Sequence, residues 1–240
     1  MLRGSQNYGL DNQNSDIDSR CIFIPRNMNE PVQPEREIML ENGEQITFID
    51  IRLFIHGLQI RSLYYLELLY SDFYVCPREH YLELWHRFQV QAGPLVDSNR
   101  VAAAESILFY ADKKLEYLFD NFRPERRDLC LQMGYDAKSL YHLARYHGLL
   151  KLLATGESFD KCCDEDFNEQ FRPIKECHLS LDNAQWLVPQ LMNEMTQYYE
   201  EIKANYQTDE RTCYVLENLI AGWGDDLIKE RELVCAADTI

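Results

Sequence analysis

Hydrophobic and polar positions alternate on two periods within the first 76 residues. Arg20-Cys21-Ile22-Phe23-Ile24 is a run of β-branched and aromatic residues closed by Pro25. Gln45-Ile46-Thr47-Phe48-Ile49-Asp50 is a second such run, introduced by the turn pair Asn42-Gly43, and Phe73-Tyr74-Val75 is a third. Each predicts a strand. Between the second and third, Leu53, Phe54, Leu58, Leu63, Leu66 and Leu69 recur at helical spacing. Residues 25–34 form a Pro/Asn/Glu loop. Beyond Pro77 only helical patterns occur: residues 78–91, 99–119 capped by Ser98, 136–155 closed by Gly156, 182–205 and 209–234. The acidic stretch 160–176 has no clean period and predicts a short helix within a loop. The pattern predicts an α+β chain, with a small mixed β-sheet core in residues 1–76 and an all-helical domain in residues 77–240.

Two of these elements carry charge where the period calls for apolar residues. Asp50 follows Ile46 and Phe48 on one strand face and directly precedes a helix. It reads as a helix N-cap, as a ligand, or as both. Glu44 shares that face at the other end of the strand and is the alternative ligand. In the helix from residue 136, taking about 100° per residue, His142 and Arg145 fall within about 40° of Lys138. Leu140, Leu143, His147 and Leu150 cluster on the other side. Lys138, His142 and Arg145 have no acidic i+4 partner on their stripe, so it reads equally as a solvated face or as a phosphate-facing one.

Charge and composition narrow the function classes. The 40 acidic residues outnumber the 24 Lys and Arg, giving a net charge of −16. That excludes a protein that coats nucleic acid non-specifically, because phosphate binding needs a basic surface. It leaves room for an RNA end in a locally basic cleft, and equally for a protein or small-molecule acceptor. No run approaches the roughly 20 apolar residues of a membrane span. Arg3-Gly4-Ser5 stands where a leader would begin its apolar run. The eight cysteines are irregularly spaced. A cytoplasmic protein with reduced thiols is expected.

The sharpest chemical signal is Gly4-Ser5 followed, after nine intervening residues, by Ser15-Asp16-Ile17-Asp18. In extended backbone, residues two apart point to one side, so the carboxylates of Asp16 and Asp18 face one point. Two hard oxygen donors converging there suit Mg²⁺, which is usually completed by substrate phosphates. Gly4 permits close backbone approach, and Ser5 adds a hydroxyl beside N–H groups able to hold phosphate oxygens. The acidic step runs directly into the first strand, which would fix its geometry.

Four blocks occur in order: Gly4-Ser5-Gln6-Asn7-Tyr8-Gly9-Leu10, Ser15-Asp16-Ile17-Asp18-Ser19-Arg20, Leu66-Glu67-Leu68-Leu69, and Gly134-Tyr135-Asp136-Ala137-Lys138 continuing to His142 and Arg145. Over residues 4–156 the chain resembles the polymerase-β-like nucleotidyltransferases, and most closely the RNA repair pathway DNA polymerase beta family of bacteria and phages. The first two blocks are superfamily-level, whereas the last is closer to that one family. Two features depart from its pattern. Only three residues precede Gly4, where the family has a strand and a helix, and Leu63-Tyr64-Tyr65 replaces an Asn-Pro step.

The resemblance implies a nucleotidyltransferase core and transfer of a nucleotide from a nucleoside triphosphate to an acceptor hydroxyl, with RNA as the family's target. It implies two Mg²⁺ ions bridged by Asp16 and Asp18, with Asp50 holding the ion that activates the acceptor. It places Gly4 and Ser5 on the β- and γ-phosphates and Lys138 on the leaving pyrophosphate, with His142 and Arg145 orienting phosphates or acceptor. Two alternatives stand beside it. One is a protein-modifying enzyme that attaches AMP, which suits the acidic composition. The other is a non-catalytic nucleotide-binding module, which suits the short segment before Gly4.

Overall fold

The computed structural model describes residues 1–3, 17–27 and 29–237. These form two compact units: residues 1–99 together with 209–240, and residues 100–208. The change in sequence texture at residue 76 therefore falls inside the first unit, since the C-terminal helix belongs with the sheet.

The first unit contains a mixed sheet of β1 (Leu2–Arg3), β2 (Asp18–Phe23), β3 (Arg36–Met39) and β4 (Gln45–Asp50), in the order β1-β2-β4-β3. β2 and β4 run parallel, with Asp18 opposite Gln45 and Phe23 opposite Asp50. β1 pairs antiparallel with β2, and β3 antiparallel with β4. The β3–β4 hairpin turns through Asn42-Gly43, where Gly43 has φ +83° and Asn42 Oδ1 accepts the Glu44 N–H at 3.0 Å. Only glycine takes that backbone without strain. Strands β1 and β3 escaped the sequence pattern, the first for its brevity and the second because three of its four positions are exposed. The predicted strand at Phe73–Val75 is absent: the segment is irregular, with Phe73 and Val75 exposed. Its β-branched and aromatic residues have no neighbouring strand to pair with.

Around the sheet lie α1 (Ile51–Gln59), α2 (Leu63–Leu69), α3 (Glu79–Val90), α4 (Ala92–Ser98) and α11 (Glu210–Ala237). Phe54, Leu58, Leu66 and Leu69 form the core with Leu95 and Ile220. Each such buried side chain contributes roughly 1.5–3 kcal/mol. Helices α1 and α2 approach so closely that a Cβ on Gly57 would lie 2.0 Å from the Tyr65 ring. The predicted continuous helix breaks at Arg61, whose φ is +54°. Its buried guanidinium ties three segments together: Nε donates to Leu95 O and Nη2 to Ser98 Oγ, both at 3.2 Å, while Nη1 pairs with Glu217 of α11. These bonds offset the strain of a left-handed non-glycine residue.

The second unit comprises α5 (Arg100–Leu115), α6 (Arg127–Met133), α7 (Ala137–Thr155), α8 (Glu165–Glu169), α9 (Arg172–Lys175) and α10 (Leu181–Asn205), with short 3₁₀ turns at Pro124–Arg126 and Phe159–Cys163. Helix α7 is its centre, packed by α5, α9, α10 and the second 3₁₀ turn. Asp136 caps it, accepting from Lys138 N–H at 3.1 Å and from Ser139 Oγ at 2.8 Å. Gly156 ends it at φ +76°. The seven cysteines whose side chains are described are free thiols. Among the described residues no helix is long and apolar enough to cross a membrane.

Candidate active site

Gly4, Ser5 and Asp16 lie outside the described residues, but both flanks of the motif lie within them. Arg3 is the Cα partner of Asp18 in the β1–β2 ladder. The segment leading into Gly4-Ser5 is therefore hydrogen-bonded beside the strand that Asp16-Ile17-Asp18 enters. The Gln45 N–H donates to Ile17 O at 2.9 Å, so β4 starts at the same level. Asp18 is half-buried, and its carboxylate meets no hydrogen-bonding or ionic partner among the described residues.

The structure does not bring Asp50 to Asp18. Asp18 opens β2 and Asp50 closes the parallel β4, five residues further along. At about 3.3 Å per residue that is roughly 16 Å. The two also project from opposite faces. Ser19, Cys21 and Phe23 share a face with Ile46, Phe48 and Asp50, whereas Asp18 and Arg20 share theirs with Thr47 and Ile49. Arg20 Nη1 donating to Thr47 Oγ1 at 2.6 Å shows the pairing on the second face.

Asp50 is instead a saturated structural carboxylate with no exposed surface. Its Oδ1 accepts the Arg52 N–H and Nε, each at 3.0 Å, and its Oδ2 accepts Arg52 Nη2 at 2.6 Å and the Gln33 N–H at 3.3 Å. Burial pushes its pKa up, but the hydrogen bonds from Arg52 and Gln33 outweigh burial and hold the group below the ordinary carboxylate range. Of the two readings open in the sequence, capping is the one realised. Glu44 sits at the Asp18 end of the sheet, half-buried, with Oε1 accepting Ser19 Oγ at 2.5 Å. It approaches from the Ser19 face. Among the described residues no three acidic, His or Cys side chains converge on one point. The oxygen donors at this end, Asp18 and Glu44, are nonetheless of the hard type that Mg²⁺ prefers.

The cationic stripe of α7 is also corrected. Lys138 is exposed, His142 is half-buried between the Tyr141 and Tyr146 rings, and Arg145 is wholly buried. Arg145 Nε donates to Asn168 Oδ1 at 2.7 Å and Nη2 to Cys162 O at 2.6 Å, tying α7 to the 3₁₀ turn and α8. It is buried as a tie between these elements and does not lie on an exposed cationic face. Its acceptors Asn168 Oδ1 and Cys162 O are neutral and lie 23 and 17 residues away in sequence, beyond the reach of an i+4 pattern. The face expected of Lys138 toward Ser5 falls outside the described residues, because Ser5 does.

Arg20 and Arg61 carried no weight in the sequence pattern, yet both are buried cations in the first unit. The only signal for Arg20 was its place two residues after Asp18 on the same strand face. No family model matches this chain, and no curated protein or solved structure matches it.

Proposed function

We propose that the chain is a Mg²⁺-dependent nucleotidyltransferase of the polymerase-β type, moving a nucleotide from a nucleoside triphosphate to an acceptor hydroxyl. The observation that supports this most is the register of Arg3 against Asp18. It sets the residue that precedes Gly4 beside the residue that ends the Asp-x-Asp step, at one end of one sheet. A solvated acidic turn would not require that pairing.

In this reading Asp16 and Asp18 hold the metal, and Glu44, which is at the same end of the sheet but approaches from the Ser19 face, replaces Asp50 as the candidate third carboxylate. Bound Mg²⁺ would polarise the phosphoryl oxygens and lower the pKa of a coordinated hydroxyl. Ser5 and the backbone N–H groups around Gly4 bind the β- and γ-phosphates. The acceptor is RNA or protein. The net charge of −16 and the burial of Arg145, which withdraws one cation from any RNA track, favour a protein acceptor.

Incubation with each α-labelled nucleoside triphosphate and Mg²⁺, with bulk RNA or a cell lysate as acceptor, tests the reading. Label should move to one acceptor class. Asp16→Asn and Asp18→Asn should each lower transfer by roughly 100-fold or more, since losing even an outer partner of a metal site costs 10–100-fold. Both variants should melt with the parent. Absence of transfer to any acceptor, with bound nucleotide, would leave a binding module in place of an enzyme. Near-normal turnover by Asp18→Asn would refute the site.

A further inference from the structure

A cavity of about 650 Å³ lies in the first unit beside β2, and no part of the proposed transfer uses it. That volume is within the range of small-molecule sites. Phe54, Tyr74, Tyr81, Trp85 and Phe88 give it aromatic walls. Among the described residues its charged side chains are all of one sign: Arg20, Arg78 and Arg231 line it and no carboxylate does. In a chain with 40 acidic residues, that is a local reversal of charge.

Two lining groups are polar, deeply buried and unsatisfied. Arg20 is 8% exposed. Its Nη1 donates to Thr47 Oγ1 and to Ser19 O, and its guanidinium lies 5.3 Å from the centre of the Tyr64 ring, but its Nε–H has no acceptor. No carboxylate among the described residues neutralises it. Trp85 is 7% exposed, and its indole N–H likewise has no acceptor. Buried donors are almost always paired, and a buried cation needs a counter-charge. Arg20 is thus a buried cation on the cavity wall with no carboxylate among the described residues to neutralise it, and a bound acid would supply one.

We propose that this cavity binds an aromatic carboxylate, its ring against the aromatic walls and its acid group toward Arg20. The proposal does not rest on the transferase reading. Titration calorimetry of the full chain, without Mg²⁺ or nucleotide, tests it with 1-naphthoate, 1-naphthol, decanoate and inorganic phosphate. 1-Naphthoate should bind roughly 10-fold or more tighter than 1-naphthol, the margin of a charge-assisted hydrogen bond. Decanoate should bind more weakly, and phosphate not detectably. Arg20→Met should abolish the preference for the acid. Arg78→Met, which removes a second lining cation, should weaken 1-naphthoate by about 5-fold. It serves as the test should Arg20→Met not fold. Equal binding of acid and alcohol, tighter binding of decanoate, or unchanged affinity in the folded variants would each overturn the proposal. So would displacement of 1-naphthoate by ATP, which would make the cavity part of the nucleotide site.

Discussion

Each end of the β2–β4 strand pair carries a carboxylate, and the fold treats the two in opposite ways. At the far end Asp50 has no exposed surface and accepts four hydrogen bonds, three of them from Arg52. At the near end Asp18 is half-buried with no partner among the described residues, and Glu44 carries one hydroxyl. A carboxylate whose lone pairs are filled by protein donors has nothing left for a cation. One to which the described residues give no donor does. Acidic residues at strand ends are therefore distinguished as structural or functional by how many donors the fold supplies.

Removing Asp50 should break the structural end outright. Asp50→Ala deletes the N-cap of α1, typically worth about 1 kcal/mol. It also leaves the Gln33 N–H and the Arg52 Nε–H without their acceptor and removes the counter-charge of Arg52, which keeps only the Glu30 and Pro31 carbonyls. Breaking a buried pair costs roughly 3–5 kcal/mol. Since Arg52 keeps some solvent contact, a loss near about 3 kcal/mol is expected by urea denaturation. A loss below about 1 kcal/mol would mean that Arg52 finds other partners and that the end is not saturated.

The near end should respond in the opposite sense. Glu44→Gln retains an acceptor for Ser19 Oγ, so stability should change by less than about 0.5 kcal/mol, as for most surface substitutions. If Glu44 is the third carboxylate, Mn²⁺ affinity should fall roughly 10–100-fold, the range for partners of a metal site. Paramagnetic resonance of added Mn²⁺ reads this without requiring turnover. Unchanged affinity would confine the metal site to Asp16 and Asp18.

Much of this contrast was legible in the sequence. Alternation placed Glu44 and Asp50 on one face of β4, and the residue order showed Asp50 as a cap. What alternation could not supply is strand pairing. Parallel register sets Asp18 against Gln45 rather than Asp50, and that register depends on a crossover whose path no local pattern encodes. The same limit explains Arg145. Its angular position on α7 was readable, but its burial follows from helices and turns closing over it from residues 159–205. Helix α7 itself, with Asp136 as cap and Gly156 as terminator, was legible because both signals are local. Arg20 was hidden for the reverse reason: a strand cation reads as solvated until the sheet face it lies on is known to be covered.

The smallest effect expected from the far end is its dependence on pH. Asp50 has a lower pKa folded than unfolded, because Arg52 and the backbone N–H groups favour its charged form against the penalty of burial. The folded state thus holds its proton less readily than the unfolded one. Asp50 contributes stability that is fully present above the unfolded value, near about 3.9, and is lost as pH falls through the folded value. Asp50→Asn cannot titrate, and its amide still accepts through Oδ1 while placing an NH₂ against the cationic Arg52. The stability difference between parent and Asp50→Asn should therefore stay constant from neutral pH down to about 5, then shrink below about 4. Paired urea titrations across that range read it directly. A difference that widens on acidification would require the pKa to be raised by folding, with burial outweighing Arg52, and would place Asp50 among the groups the fold fails to satisfy.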